Sequence, residues 1–184
     1  VLSGTVNKRV VAHLVSAGVA AIGLCGVDAG LFRATPLKHG DVDLGRVGAI
    51  REVNTHLLEL LLSGGLLPVI SPISLGDDGR ALNVNADHAA MALACATQAA
   101  ELVFVTDTPG VLQDGRVIPA IDHDLAEHLI LDGVITGGMV PKIRSALDAL
   151  CAGVRRVRIT NLDGLEQDGG TCIGMAQQQQ GELA

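Results

Sequence analysis

The sequence predicts an α/β fold built on a mainly parallel sheet, and three observations support this class. Helical patterns alternate with short apolar strand patterns, and polar, Gly-containing loops follow several of these strands. The composition is 48% hydrophobic but only 1% aromatic, so the core is expected to be aliphatic, as in sheets covered on both faces. The 184 residues show no internal repeat and no linker, so we expect one domain.

Composition and charge argue against several classes of partner. The net charge of −7 disfavours duplex nucleic acid or an anionic membrane, and the absence of Trp and Tyr removes a stacking platform for single strands. No apolar stretch reaches the roughly 18 residues of a membrane span, and no signal peptide is visible. The four cysteines are isolated in apolar runs, which favours free thiols in a reducing compartment. We therefore expect a cytoplasmic protein with no nucleic-acid or membrane partner.

The first part of the chain shows alternating helix and strand patterns. An apolar stripe predicts a helix over residues 6–17, with Lys8 pointing outward, and a buried strand follows at 19–25. Residues 31–37 and 42–50 read as a hairpin around Lys38–Asp41, which would be an antiparallel appendage on the parallel sheet. Asn54 is the predicted N-cap of a helix to residue 62, and a strand is expected at 66–73.

The central stretch, residues 83–111, is the one around which we expect the rest to be arranged. Asp87 reads as the N-cap of an Ala-rich helix over 87–100, which has almost no polar face and should be buried on nearly all sides. A buried strand at 102–105 then runs into the polar loop 106–110. Because ligands bind at the carboxyl ends of strands in such sheets, this loop predicts a site for a nucleotide or a small acid.

The last part of the chain continues the alternation up to Asn161. Asp114-Gly115 predicts a turn, and helices are expected at 122–131 and 141–152, joined by the Gly-rich loop 132–139. A final strand is predicted at 154–160. Beyond Asn161 the pattern loses periodicity, so residues 162–184 are predicted to be an irregular tail that includes the low-complexity tract 177–180.

A few polar residues stand out as candidates for chemistry. Lys142 lies near the start of a helix, where a cation opposes the macrodipole, directly after a loop suited to an anion; the alternative is a solvated surface lysine. Asn83, Asn85 and Asp87 alternate, so they could line one side of a pocket, although Asp87 alone would be read as a cap. Asp107 is either a site residue or a turn former. The histidines show no metal-ligand spacing, and no dinucleotide-binding, P-loop or hydrolase motif occurs.

The motifs in combination resemble those of acetylglutamate kinases in the amino acid kinase family. The segments that carry the resemblance occur in one order and extend to about Asn161: Gly4-Thr5-Val6-Asn7-Lys8, Gly45-Arg46-Val47-Gly48, Asn83-Val84-Asn85-Ala86-Asp87, Thr106-Asp107-Thr108-Pro109-Gly110-Val111 and Gly133-Val134-Ile135-Thr136-Gly137-Gly138-Met139-Val140-Pro141-Lys142. The resemblance implies a three-layer α/β sandwich around a mainly parallel sheet. It also implies ATP-dependent phosphorylation of the side-chain carboxylate of N-acetyl-L-glutamate, a step of arginine biosynthesis, with ATP and Mg²⁺ and a homodimer or higher homo-oligomer.

The resemblance also assigns roles to individual residues. Lys142 resembles the lysine that contacts the transferring phosphoryl group, and Asp87 resembles the aspartate that orients two catalytic lysines. Asn83 and Asn85 correspond to substrate-binding positions, and no residue is assigned to a metal. The positions implied for ATP binding are Thr106, Asp107, Thr108, Pro109, Gly110, Val111, Val134, Ile135, Thr136, Gly138 and Met139. Residues 1–82 would then form the acid-substrate side and residues 83–161 the nucleotide side of one domain.

The chain departs from the family pattern at its start. The family's Gly-rich first strand with another catalytic lysine, a second Gly-Gly loop and a substrate-binding arginine find no match, so we expect an N-terminally incomplete domain that is inactive alone. Two alternatives remain open at this point. One is a related amino acid kinase acting on another acid, and the other is an inactive nucleotide- or metabolite-binding fragment.

Overall fold

The computed structural model describes residues 1–40 and 42–174, with the side chains of residues 38, 39, 42 and 43 excepted. The predicted turn at Lys38–Asp41 includes Asp41, which lies outside the described residues, as does the low-complexity tract 177–180. Clustering of contacts divides the chain into two compact units, Val1–Ala96 and a second that begins at Thr97.

The first unit contains helices and strands in alternation. Its helices are a π-helical turn at Leu2–Val6, α1 (Asn7–Ser16), a 3₁₀ turn at Asp28–Gly30, α2 (Thr55–Ser63) and α3 (Ala86–Ala96). Its strands are β1 (Ala21–Cys25), β2 (Phe32–His39), β3 (Val42–Val53), β4 (Leu67–Ser71), β5 (Ile73–Gly76) and β6 (Ala81–Asn83). The predicted strand at 66–73 is therefore two strands, β4 and β5, separated by Pro72, which has no N–H for a ladder bond.

The strands of the first unit form a parallel pair and a small barrel. β1 and β4 pair in parallel, from Ala21↔Leu67 to Cys25↔Ser71. β2 and β3 form the predicted antiparallel hairpin. Its predicted place as an appendage on the parallel sheet is wrong, because β2 pairs with β5 and β3 with β6, which closes a barrel in the order β2-β3-β6-β5.

The core of the first unit is aliphatic apart from one phenylalanine. Asn54 caps α2 as predicted, its side-chain oxygen accepting the N–H of Leu57 at 3.3 Å. The buried cluster comprises Leu31, Phe32, Ala34, Leu58, Leu82, Val84 and Ala89.

Two expectations about helix burial in this unit are wrong. The predicted apolar stripe of α1 is largely exposed, with Val6, Val10 and Val15 each more than 40% accessible; its buried residue is Asn7, whose amide donates to carbonyls of β1 and β4. Helix α3 is buried only at Ala89 and Ala94, since one of its faces packs on β3 and the others remain partly exposed. Apolar composition alone therefore overestimated how much of each helix is covered.

The second unit completes the alternation. Its helices are α4 (His123–Leu131), α5 (Met139–Cys151) and α6 (Leu162–Glu166). Its strands are β7 (Glu101–Val105), β8 (Leu112–Gln113), β9 (Arg116–Val117), β10 (Ala120–Ile121), β11 (Arg156–Thr160) and β12 (Thr171–Ile173). The predicted Asp114-Gly115 turn connects β8 to β9, with φ of 51° and 74° at these two residues.

One sheet organises this unit, in the order β10-β12-β11-β7. β11 runs parallel to β7, with Thr160 opposite Val105, and antiparallel to β12. The prediction of an irregular tail after Asn161 is wrong where the structure describes it, because α6 and β12 are regular elements. β12 is only three residues long, so periodicity did not reveal it; its pairing with β10 and β11 creates it.

The apolar faces of α4 and α5 supply the core of the second unit together with the sheet. Fully buried side chains include those of Ile121, Ala126, Ile143, Ala146, Val157 and Ile159. Within the described part of the chain, no helix is both long and apolar enough to cross a membrane. All four cysteines carry free thiols.

Candidate nucleotide and acid-substrate site

In the first unit, the predicted acid-binding residues cluster where β6 ends and α3 begins. Asn83 is the last residue of β6 and is exposed, and Asn85 is exposed two residues later. Asp87 is half-buried in the first turn of α3. The three polar side chains therefore lie within five residues of one another at a strand–helix junction. Their binding and catalytic roles stay predictions.

Asn85, and not Asp87, supplies the cap of α3. Its side-chain oxygen accepts the backbone N–H of Asp87 at 2.8 Å and that of His88 at 3.2 Å. The prediction of Asp87 as N-cap is wrong because the helix begins at Ala86, so that Asp87 is already inside it. Asp87 instead places a carboxylate in the first turn of α3.

In the second unit, the predicted nucleotide loop begins at the carboxyl end of β7. Thr106 donates its N–H to the carbonyl of Thr160, at the end of the neighbouring parallel strand β11, at 2.8 Å. Val105, Thr106 and Asp107 line one side of a cavity of about 410 Å³, whose other side is Asn161–Asp163. This volume is in the range of small-molecule sites, and it opens where parallel strands of an α/β sheet end.

Asn161 and Asp163 were missed by reasoning from the sequence. Asn161 follows β11 directly, so the same rule that selected Thr106 could have selected it once β11 and β7 were known to be neighbours. The side-chain oxygen of Asn161 already accepts the N–H of Gly164 at 2.8 Å and caps α6. Asp163, in the first turn of α6, adds an exposed carboxylate to the cavity wall.

The Lys142 ammonium group lies close to the same end of β7. Its Nζ is 5.0 Å from the centroid of the Phe104 ring, and Phe104 is two residues before Thr106. Phe104 is only 4% exposed, so the ring is a fixed part of the core against which the lysine stem can be held. Helix α5 begins at Met139, so Lys142 is its fourth residue.

The loop before α5 presents main chain rather than large side chains. Val134 and Ile135 both donate their N–H groups to the carbonyl of Leu129, and Ile135 is buried, so this part of the loop is fixed to α4. Thr136 and Gly138 are exposed, and Gly138 caps α5 without a side-chain hydrogen bond. No acidic side chain occupies the first turn. This helix terminus therefore has the polarity that suits a phosphate.

The end of the nucleotide loop is held by a strand that is distant in the sequence. Pro109 is exposed, Thr108 is half-buried, and Gly110 and Val111 are buried. The N–H of Val111 donates to the hydroxyl of Thr171, on β12, at 2.8 Å. Sequence analysis did not select Thr171, because its contact is made across 60 residues.

The predicted site residues are distributed over both units. Thr106–Val111, Val134–Met139 and Lys142 belong to the second unit, whereas Asn83, Asn85 and Asp87 belong to the first. The role that the resemblance implies for Asp87, the orientation of catalytic lysines, stays a prediction.

The described residues include no group of three or more His, Cys, Asp or Glu side chains placed to hold a metal ion.

Comparison with known proteins identifies the family. The sequence profile of the amino acid kinase family matches residues 1–161. The chain belongs to the amino acid kinase family. Acetylglutamate kinase of Chloroflexus aurantiacus is 55% identical over 172 residues, which are 93% of this chain and 67% of the relative. Acetylglutamate kinase of Methanopyrus kandleri is 47% identical over 181 residues, covering 94% of this chain and 74% of the relative.

Solved structures of similar fold agree with this assignment. The crystal structure of smu.665 from Streptococcus mutans UA159 superposes with a TM-score of 0.83 at 33% identity, covering 94% of this chain and 68% of that one. The predicted α/β class and the amino acid kinase fold are thus confirmed, with parallel strand pairs in each unit. The chain spans about two thirds of the length of the curated relatives that it matches.

Proposed function

We propose that the protein is an ATP-dependent kinase that phosphorylates the side-chain carboxylate of N-acetyl-L-glutamate, giving an acyl phosphate for arginine biosynthesis. The observation that carries the proposal is the 55% identity to an acetylglutamate kinase across 93% of this chain. The alignment covers almost the whole chain, so it includes the segments at both candidate half-sites. The proposal includes a cytoplasmic enzyme that works as a homo-oligomer.

The second unit is the proposed nucleotide side. Residues 106–111 and 134–139 would bind ATP, with the cavity beside Thr106 and Asp107 taking part of the nucleotide. Lys142 would lie against the transferring phosphoryl group, where its charge offsets the negative charge that builds up during transfer. The contact of its amine with the buried Phe104 ring supports this role, because a lysine held in place needs little reorganisation in the transition state.

The first unit is the proposed acid side. Asn83 and Asn85 would hold polar groups of acetylglutamate, and Asp87 would orient cationic groups at the reacting oxygens. The nucleophile is already a carboxylate at neutral pH, so the reaction requires no general base. Positioning and electrostatic stabilisation are then the main contributions that these residues can make. Mg²⁺ would accompany ATP and neutralise part of the phosphate charge when bound.

The substrate is tested by ATP-dependent acyl-phosphate formation in the full-length protein, trapped with hydroxylamine. N-acetyl-L-glutamate should be converted efficiently, whereas glutamate and N-acetyl-aminoadipate should give much lower kcat/KM. A preference for the longer acid would favour the related kinase instead. ATP binding without turnover of any acid would favour an inactive binding protein.

The role of Lys142 is tested by replacing it with alanine. K142A should lower kcat on the order of a hundredfold while changing the KM for acetylglutamate little, because the partner charge develops only in the transition state. Arg144, exposed on the same helix, supplies the matched control, and R144A should retain activity. A K142A enzyme within twofold of wild type would make Lys142 an ordinary surface lysine.

A further inference from the structure

Thr171 is a fully buried polar residue that connects distant parts of the second unit. It is the first residue of β12 and has no solvent exposure. β12 lies between β10 and β11 in the sheet, with Thr171 opposite Ile159. A threonine in such a position needs partners for its hydroxyl, since an unpaired buried hydroxyl is unfavourable.

The hydroxyl of Thr171 makes two hydrogen bonds to backbone groups. It accepts the N–H of Val111 at 2.8 Å and donates to the carbonyl of Ile118 at 2.7 Å. Val111 and Ile118 flank the β8–β9 hairpin, and Ile118 donates its own N–H to the carbonyl of Val111 at 2.9 Å. In a regular antiparallel ladder such a pair would exchange two direct bonds. Here one bond is direct. In place of the other, the Thr171 hydroxyl bridges the Val111 N–H and the Ile118 carbonyl.

Gly110 brings the loop close enough for this arrangement. A Cβ atom at residue 110 would lie 2.7 Å from the Thr171 hydroxyl oxygen and 3.1 Å from the Thr171 backbone nitrogen. A side chain at residue 110 would therefore push the loop away from β12. The glycine and the threonine act together to hold the end of the loop.

The same loop is held at its other end by the neighbouring strand. Thr106 donates its N–H to the carbonyl of Thr160 on β11, and β11 is paired with β12. Both ends of residues 106–111 are thus bonded to adjacent strands of one sheet. Of the two bonds, the one at Thr106 uses backbone groups alone, whereas the one at Val111 depends on a side chain.

We infer that Thr171 is a positioning residue for nucleotide binding, which acts by fixing the backbone of loop 106–111 through its hydroxyl group. The inference rests on the proposed function, since it assigns this loop to ATP. Thr171 does not reach the nucleotide itself. Loss of the hydroxyl would leave the Val111 N–H and the Ile118 carbonyl without this partner, and the loop would occupy its binding geometry for a smaller fraction of the time.

The test compares two substitutions in the full-length protein. T171V keeps the shape of the side chain and removes the hydroxyl, whereas T171S keeps the hydroxyl. T171V should raise the Kd for MgATP, measured by calorimetry, on the order of tenfold, and it should raise the KM for ATP similarly. The KM for the acid substrate should stay within about twofold of wild type. T171S should restore ATP binding to near the wild-type value.

Hydrogen exchange gives a readout that does not require activity. The Val111 amide should exchange faster in T171V than in wild type, while amides in the centres of β7 and β11 should be unchanged. Should T171V not fold, T171A removes the same hydroxyl from a smaller side chain and is measured in the same way. A wild-type protein that binds no ATP refutes the proposed function, and the exchange at Val111 then still decides whether Thr171 fixes the loop.

Two results would overturn the inference. In the first, T171V matches wild type in both ATP affinity and Val111 exchange, which would mean that the hydroxyl does not hold the loop. In the second, T171V weakens binding of both substrates and speeds exchange throughout the unit, which would make Thr171 a residue of general stability.

Discussion

Replacing Arg158 by methionine should destabilise the second unit, because this arginine is a buried cation that ties several segments together. Its side chain is only 5% exposed and forms ion pairs with Glu101 at 3.1 Å and Asp168 at 2.9 Å. It also donates to the carbonyl of Gly169 at 3.1 Å. The substitution removes all three contacts and leaves an unbranched apolar side chain that is shorter than the arginine.

The size of the effect follows from what the partners retain. Arg156 also pairs with Glu101, at 3.3 Å, and with Asp168, at 3.1 Å, so neither carboxylate loses all of its cationic partners. The loss should therefore be smaller than the 3–5 kcal/mol typical when a buried charge is left alone. The lost bond to the Gly169 carbonyl and the weakened pairs together predict a destabilisation of about 2 kcal/mol.

The assay is urea unfolding followed by far-UV circular dichroism, since the chain contains neither Trp nor Tyr. R158M should lower the unfolding midpoint by about 1 M. R156M is the matched control, because Arg156 contacts the same two carboxylates from a side chain that is 43% exposed. It should leave the midpoint close to wild type, as exposed pairs generally contribute little. Equal losses in the two variants, or an unchanged R158M midpoint, would refute the argument that burial decides the contribution.

Two further predictions concern the first unit. N85A should destabilise the protein by about 1 kcal/mol through loss of the α3 cap. N85D should keep the wild-type melting temperature but raise the KM for the acid substrate. An N85A protein as stable as wild type would show that the cap contributes little. The backbone N–H of Arg80, and then Arg46, hold the pKa of the Asp78 carboxyl below its usual 3.8. Ionised Asp78 therefore stabilises the fold above that pH, and the effect is lost as the pH falls through the lowered pKa. The melting temperature of D78N should thus be slightly lower than that of wild type near neutral pH, and the difference should vanish once the pH falls below the lowered pKa of Asp78. A difference that persists in stronger acid would contradict this assignment.

The sequence by itself determined the elements whose signals are local. Asn54 caps α2 because its side chain bonds an amide three residues away. The Asp114-Gly115 turn is likewise a property of two residues. The family motifs around residues 83–87, 106–111 and 133–142 could also be recognised, because each is a continuous segment, and together they led to the family that comparison confirms.

The tertiary structure alone decided the features that depend on residues far apart in the chain. Periodicity could not find β12, because three residues form a strand only when β10 and β11 lie beside them. It could not show that Val10 and Val15 of α1 are exposed while Asn7 is buried. Thr171 and Arg158 owe their importance to contacts across 60 and 57 residues, respectively. Burial and long-range hydrogen bonds depend on which surfaces the folded chain brings together. A local sequence pattern does not specify those surfaces.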